Sequence, residues 1–257
     1  MMHRRWRNNI QRIDRVRVPV HACPWLAAGD LRVGVIFERS VGMKLVSVSV
    51  GLPREVTWHG RVVRTSIWKN PVQGPVHVAT LNLDGDQQSD LSVHGGVDKA
   101  VYVYPSEHYE FWRSELAGAE LSFGCFGENF TSEGLLEEEV RIGDRLRIGT
   151  GEFIVTQPRM PCFKLGIRFQ RPDLVKRFLR SRKTGFYLAV QREGEVAAGD
   201  AVEFIERAAS GVTILDITNL YASDFQSQDL LRRATELPAL PETWKDYLRK
   251  KLWNADA

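Results

Sequence analysis

A single cysteine, Cys162, lies in a stretch whose neighbours suit a reactive thiol. Pro161 fixes its own φ and disfavours helical backbone at the residue before it, so the chain that enters Cys162 is stiff. Arg159 and Lys164 would favour the thiolate, which is a nucleophile and a soft metal ligand. A buried structural thiol is the alternative, because cysteine is common in protein cores. This stretch alone supports both interpretations equally.

A second stretch, His94-Gly95-Gly96-Val97-Asp98-Lys99, has residue types that suit an anion. A glycine pair lets backbone amides approach a ligand closely, and Lys99 adds a positive charge. The spacing is not that of a P-loop. Taken alone, the stretch is better explained as a tight turn in which Asp98 pairs with Lys99 on the surface.

A third stretch, Gly124-Cys125-Phe126-Gly127-Glu128-Asn129-Phe130, holds two polar residues between phenylalanines. If the phenylalanines are buried, Glu128 and Asn129 must find partners or a ligand. The alternatives are an ion pair between Glu128 and an arginine, and a turn capped by Asn129. Cys125 is expected to be a buried apolar thiol, and a disulfide between Cys125 and Cys162 stays open.

Short strands are expected to position these three stretches. From residue 43 to about 206 the chain has brief alternating runs separated by turn residues, which favours a closed or nearly closed β-barrel. Two helices interrupt the strands, one from Ser106 as N-cap to Leu116 and one from Pro172 to about Ser181. The predicted strands are 44–50, 61–68, 76–83, 100–104, 140–148, 152–156, 186–191 and 201–206.

After residues 208–211 the pattern changes to a helical period, and three helices are predicted over 214–222, 227–236 and 241–252. Fewer than about fifty residues make a marginal core alone. The three-helix bundle is therefore expected to dock on the barrel or on a second subunit, which leaves a homodimer open. The expected domains are a β-barrel over 43–207 and a helical appendage over 212–257.

Residues 1–42 differ from the rest, because they hold eight Arg and three acidic residues, whereas the remaining chain carries a net charge of −2. The apolar stretch near Val16 is too short for a signal peptide. A basic nucleic-acid arm is an alternative. We expect a dispensable extension instead, with Met43 as the start of the working protein, and a native product that begins at Met1 would contradict this.

The composition also bears on partners and compartment. No run reaches the ~20 apolar residues that span a bilayer, so no membrane association is expected. Three widely spaced cysteines argue for a reducing compartment, and we expect the cytoplasm. The chain beyond residue 42 is near neutral, so nucleic acid is not an expected partner.

In their order and spacing, the three stretches resemble the MOSC family, the molybdenum cofactor sulfurase C-terminal-type domains, in its stand-alone YiiM-type branch. The likeness covers about 43–252 and includes Lys69-Asn70-Pro71-Val72 and Asp84-Gly85-Asp86-Gln87. Gln88 departs from the small residue that the branch often has there. The resemblance implies a mainly β fold: a MOSC-type β-barrel with a few helices, plus a small C-terminal three-helix bundle.

The resemblance also implies that the chain binds molybdenum cofactor (molybdopterin), with Cys162 as the metal ligand and the catalytic residue. Glu128 and Asp98 would orient nearby cations. The side chains that would bind the cofactor, besides Cys162, are Lys69, His94, Lys99, Asn129 and Arg159.

The implied reaction is the two-electron reduction of small N-hydroxylated compounds, such as hydroxylaminopurines, to amines and water. The sequence contains no fingerprint of a flavin, NAD or iron–sulfur module, so a separate reductase is expected to supply the electrons. The alternative is a carrier that relays sulfur or molybdenum cofactor. A third option is a binding module in which Cys162 is structural.

Overall fold

The computed structural model describes residues 42–89, 95–222 and 227–255, all within one compact unit. The strands are β1 (Lys44–Val50), β2 (Arg54–Trp58), β3 (Arg61–Thr65), β4 (Asn70–Pro71), β5 (Val76–Val78), β6 (Val101–Pro105), β7 (Phe130–Glu133), β8 (Arg145–Ile148), β9 (Gly151–Pro158), β10 (Phe186–Arg192), β11 (Gly194–Val196) and β12 (Val202–Glu206). The helices are α1 (His108–Glu115), α2 (Phe163–Phe169), α3 (Leu174–Ser181), α4 (Ile214–Ala222), α5 (Gln228–Thr235) and α6 (Glu242–Ala255).

Eight of the described strands form one mixed sheet in the order β12-β8-β9-β10-β6-β7-β1-β4. Neighbours are antiparallel except β6 and β7, which are parallel. A bridge between Lys44 and Ala201 joins the start of β1 to the segment that enters β12. The eight-stranded ladder itself has β12 and β4 as its end strands. The fold is thus sheet-rich, as predicted, while the closed barrel stays a prediction.

The three C-terminal helices pack against the sheet. Leu231 of α5 and Leu248 of α6 belong to the same buried apolar cluster as Leu146 and Phe153 of the sheet. Burial of apolar surface in this shared cluster is what stabilises so short a helical segment. Docking on the strand-rich part of the chain is therefore confirmed, and the predicted helix bounds agree to within three residues.

A second, aromatic cluster lies under α1 and α3. The rings of Trp112 and Phe178 stack with centroids 5.1 Å apart and planes at 9°. Tyr109 and Leu116 are buried too, so the predicted core face of α1 is confirmed. The predicted N-cap is wrong, because α1 begins at His108 with Glu107 before it.

Several predicted strand bounds are wrong for reasons that pattern alone does not reveal. Residues 61–68 contain only β3, which pairs with the unpredicted β2 across a turn in which His59 and Gly60 both have positive φ. Strand β7 was missed because it is short and only its first residue, Phe130, is apolar, so it shows neither an apolar run nor an apolar–polar alternation. Helix α2 was missed because it is short and contains Gly166, and glycine lowers helix propensity.

The extension predicted over residues 1–42 lies outside the described residues, apart from Gly42. Across the part of the chain that the structure describes, no helix has both the length and the apolar character needed to cross a bilayer.

Candidate functional site

One cleft of about 580 Å³ collects all the predicted site residues that the structure describes. His94 lies outside the described residues. Asn129 and one acid, Asp86, line the wall. The same wall holds the thiol and four basic side chains, namely Cys162, Lys69, Lys99, Arg159 and Lys164. The excess of positive charge makes this cleft suitable for an anion.

An irregularity in strand β9 directs the chain into the cleft. Tyr187 pairs with Gln157 and the next residue of β10 pairs with Val155, so Thr156 is extra in the ladder. Such a bulge bends the strand and changes the direction of the side chains that follow. Beyond it, the Arg159 amide donates to the carbonyl of Gly185 at 3.1 Å. Cys162 then has extended backbone just before α2.

The same strand holds the loop that carries Lys99. Thr156 Oγ1 and Gln157 Nε2 both donate to the carbonyl of Asp98, at 2.7 Å and 3.3 Å. Within the loop, the Lys99 amide donates to the Gly96 carbonyl, and Gly96 has a φ of 98° that favours glycine. The stretch that contains Lys99 therefore meets the stretch that contains Cys162. Both residues line the same cleft.

Lys99 is electrostatically unusual. Partial burial lowers the pKa of its ammonium group, and the nearby Asp98 carboxylate opposes that shift without cancelling it. The predicted pairing of these two residues is thus only part of what Asp98 does, because its carbonyl also anchors the loop to β9.

Lys69 and Asn129 are joined through Asp86, a residue that the sequence interpretation did not include in the site. Asp86 Oδ1 accepts hydrogen bonds from Lys69 Nζ and from the Gly51 amide, and Oδ2 accepts from Asn129 Nδ2 at 3.0 Å. Burial is the largest influence on Lys69 and lowers its pKa, while Asp86 acts in the opposite direction. Lys69 therefore brings to the cleft a charge that Asp86 largely balances.

Asn129 also ties strands together. Its Oδ1 accepts from the Tyr102 amide at 3.2 Å, and its Nδ2 donates to the Ser49 carbonyl at 3.3 Å as well as to Asp86. Both amide hydrogens and the side-chain oxygen are thus used within the protein. Its position on the cleft wall is consistent with the prediction, but its visible role is to hold Asp86.

Contrary to the expectation that Glu128 orients the cations, it accepts no hydrogen bond from a cation among the described residues. Its carboxylate accepts hydrogen bonds from the amides of Gly124 and Phe126 at 2.9 Å and 3.0 Å, and from the Tyr109 hydroxyl. Burial raises the pKa of this carboxyl, and these donors oppose the shift. Glu128 therefore closes its own loop. The alternative pairing with an arginine is also wrong among the described contacts.

The loop closed by Glu128 packs against Lys69. Gly124 has a φ of 87°, and a Cβ there would lie 2.8 Å from the Lys69 carbonyl and 3.0 Å from Ser49 Oγ. Only glycine fits this approach without a shift. The glycine of the third sequence stretch thus supports the wall of the cleft at Lys69, and a ligand role for Asn129 stays a prediction.

Arg159 is the most deeply buried cation of the cleft. Its residue is 5% exposed, and its Cζ lies 5.2 Å from the centroid of the Tyr102 ring. Burial lowers the pKa of the guanidinium, but Coulombic interactions with Tyr102 and then Cys162 raise it above its ordinary value overall. Its Nη1 has no hydrogen-bond partner among the described residues. A buried cationic donor of this kind requires an acceptor.

Several cleft residues were not predicted. Ser66 lines the wall, and its buried Oγ has no hydrogen-bond partner in the described part of the chain. Tyr102 and Tyr187 form another side of the cleft, with ring centroids 5.4 Å apart. Residues of these types occur throughout any sequence. Only the pairing of β6 with β10 brings the two tyrosines together.

Neither Cys125 nor Cys162 forms a disulfide. Cys125 is fully buried, and burial, reinforced by Glu128, raises the pKa of its thiol. Cys125 is thus the apolar core thiol that was expected. Cys162 is partly accessible and lines the cleft.

Comparison with known proteins agrees with this geometry. The MOSC domain profile matches residues 90–203, and the profile of the YiiM-like, 3-alpha helix domain matches residues 212–254. The "Uncharacterized protein YflK" of Bacillus subtilis (strain 168) is 37% identical over 207 residues, which cover 80% of this chain and 93% of that protein. The chain belongs to the MOSC family. The family resemblance in the sequence is therefore confirmed.

Two further relatives extend the comparison to a solved structure and to a longer protein. The crystal structure of YiiM from Geobacillus stearothermophilus is 35% identical, with a TM-score of 0.69, and the match covers 82% of this MOSC chain and 99% of that chain. A protein named "Reductase" from Gibberella moniliformis (strain M3125 / FGSC 7600) is 31% identical over 199 residues. That match covers 76% of this chain but 35% of the fungal protein.

Proposed function

We propose that this protein is a molybdenum-cofactor-dependent reductase of small N-hydroxylated compounds, such as hydroxylaminopurines, which it converts to amines. One observation carries the proposal: the accessible thiol of Cys162 shares a cleft with Arg159, whose buried Nη1 has no hydrogen-bond partner among the described residues. A soft thiolate suits molybdenum, and an unpartnered guanidinium donor suits a phosphate. Molybdenum cofactor carries both groups.

The residues of the cleft fit such a cofactor. Cys162 would be the protein ligand of the metal. Arg159 and Lys99 would bind its anionic groups, and Ser66 would offer a hydroxyl whose oxygen has no partner among the described residues. Lys69 adds positive charge, and Asn129 holds the Asp86 that fixes Lys69. His94 remains a proposed ligand from its sequence position alone.

The cofactor, when bound, would supply the two-electron chemistry that breaks the N–O bond. The substrate gains two electrons and two protons: one proton goes to the nitrogen, which becomes the amine, and the other goes to the oxygen, which leaves as water. Lys99 Nζ would give one proton, because its lowered pKa makes it a better acid than a surface lysine. Arg159 would stay protonated and hold negative charge throughout, since its pKa is raised.

The fungal relative named "Reductase" supports the redox assignment. The electrons would come from a separate reductase partner, because the sequence contains no fingerprint of a flavin, NAD or iron–sulfur module.

The test is metal analysis of protein produced with molybdenum cofactor available. Wild type should carry about one molybdenum per chain and reduce 6-hydroxylaminopurine with a chemical reductant. Cys162→Ala should lose both properties. Cys125→Ala is the matched control, because it removes a thiol that does not line the cleft, and it should keep both.

Wild-type protein without molybdenum under these conditions would defeat the proposal. Molybdenum bound through Cys162 without turnover of any N-hydroxylated compound, or a persulfide on Cys162, would favour the carrier of cofactor or sulfur instead.

A further inference from the structure

A second cleft adjoins the first one at Cys162. It has a volume of about 860 Å³ and shares three wall residues with the cationic cleft: Lys99, Cys162 and Tyr187. Its other wall comes from the C-terminal helices, where Tyr221 and Trp244 line it. The two clefts are therefore continuous at the thiol.

The helical wall of this second cleft is a cluster of three aromatic rings. The Tyr221 ring lies 5.7 Å from the Trp244 ring and 5.3 Å from the Tyr247 ring, between centroids. Each ring is held by its neighbours. Stacking of a ligand there would therefore cost little conformational entropy of the protein side chains. We call Tyr221, Trp244 and Tyr247 the aromatic wall.

Two polar side-chain atoms of the aromatic wall are used within the protein. Trp244 Nε1 donates to Gln157 Oε1 at 2.7 Å, and the Tyr247 hydroxyl donates to the Tyr221 carbonyl at 3.5 Å. Tyr221 nevertheless remains 38% exposed. The wall therefore offers apolar ring surface, which binds flat unsaturated molecules by stacking.

The charged groups of this cleft also restrict the charge of a ligand that can bind there. Among its described lining residues, Lys99 is the one basic side chain, and no carboxylate is present. A neutral or anionic ligand is thus favoured over a cation.

We propose that the aromatic wall is the substrate-binding surface, on which a planar aromatic ring stacks while its N-hydroxylamino group lies beside Lys99 and Cys162. This inference rests on the proposed function and adds the surface that would select N-hydroxylated aryl and heteroaryl compounds over aliphatic ones. The C-terminal helices would then determine which compounds the protein accepts.

The experiment measures binding by calorimetry to the molybdenum-loaded protein without reductant, so that no turnover occurs. The probes are 6-hydroxylaminopurine and N-hydroxycyclohexylamine, which share the N–O group but differ in aromatic character. Tyr221→Leu and Tyr247→Leu are tested separately, so that one variant suffices if the other misfolds. Trp253→Leu is the matched control, because Trp253 lies on the same helix as Trp244 but is 80% exposed and does not line the cleft.

The Tyr variants should weaken binding of 6-hydroxylaminopurine by about 5- to 100-fold and change that of N-hydroxycyclohexylamine by less than about twofold. Their molybdenum content should equal that of wild type. Unchanged affinity for the purine, or equal losses for both probes, would overturn the inference while leaving the reductase proposal intact. Selective loss of purine binding in protein that never reduces it would support the inference and reject the reductase.

Discussion

The indole Nε1 of Trp244 donates a hydrogen bond to Oε1 of Gln157, and this 2.7 Å contact joins the last helix to the strand that leads to Cys162. Gln157 is 3% exposed and uses its Nε2 to hold the Asp98 carbonyl, next to Lys99. One side chain thus couples the helical segment, the loop of Lys99 and the strand that ends near the thiol.

The Gln157–Trp244 contact can be tested by a double-mutant cycle. Gln157→Leu should lower the free energy of unfolding by about 1–3 kcal/mol, because it leaves the indole N–H unsatisfied in a buried place. Trp244→Phe keeps a ring and should cost less once Gln157 is already Leu. Urea denaturation should give a coupling energy of about 0.5–3 kcal/mol. Additive effects would show that the two side chains act independently.

The buried pair of Lys69 and Asp86 should contribute strongly to stability. Asp86→Ala removes the acceptor of three donors and leaves the buried ammonium of Lys69 unpaired, so it should cost about 3–5 kcal/mol. Lys69→Met should cost less, because Asp86 keeps two donors.

The control for that pair is Lys44→Met, which breaks the exposed ion pair with Glu133 and should change the free energy of unfolding by about 0–1 kcal/mol. Denaturant unfolding at neutral pH measures all three. An Asp86→Ala effect as small as that of Lys44→Met would refute the structural role of Asp86.

Sulfate binding to the cleft should depend on pH through Lys99. The protonated ammonium attracts sulfate and is lost as pH rises through its folded-state pKa, which burial lowers from the ordinary 10.5. Sulfate affinity should therefore begin to fall below that pH, by at most about tenfold per pH unit. Lys99→Arg should bind sulfate to a higher pH than wild type. Parallel pH profiles by calorimetry would contradict this assignment.

Stability should respond to the same group with the opposite sign. Between the folded-state pKa of Lys99 and 10.5, the unfolded chain binds more protons at this lysine than the folded chain does. The free energy of unfolding attributable to Lys99 should rise with pH across that window. The difference between wild type and Lys99→Arg, measured by denaturation at several pH values, isolates this contribution.

The loop around Glu128 should affect stability without affecting the anion. Glu128→Ala leaves the Gly124 and Phe126 amides and the Tyr109 hydroxyl without their acceptor, and should cost about 3–5 kcal/mol. Tyr109→Phe removes one donor and should lower the free energy of unfolding by about 1 kcal/mol. Because neither residue lines the cleft, folded Tyr109→Phe should bind sulfate like wild type. A clear loss of affinity would restore Glu128 and Tyr109 to the binding site.

Much of the helical organisation could be predicted from the sequence, because apolar residues at helical spacing appear in α4, α5 and α6 without reference to any other element. Strand β1 could be predicted equally well, and its predicted bounds agree with the observed ones at both ends. Strand β7 was not, since it has four residues of which only the first, Phe130, is apolar. Helix α2 was hidden by its length and its glycine.

The residue types of the cleft were determined by the sequence alone: the thiol behind proline, its neighbouring cations and the polar residues between phenylalanines. These residues come from three stretches, 94–99, 124–130 and 157–165, that are separate in the chain. Only the tertiary structure shows which of their side chains are used within the fold. Hydrogen-bond partners are the criterion, because a buried acceptor that protein donors already satisfy, such as the Glu128 carboxylate, acts within the fold. Arg159, whose Nη1 lacks a partner among the described residues, is the side chain that we propose to contact a ligand.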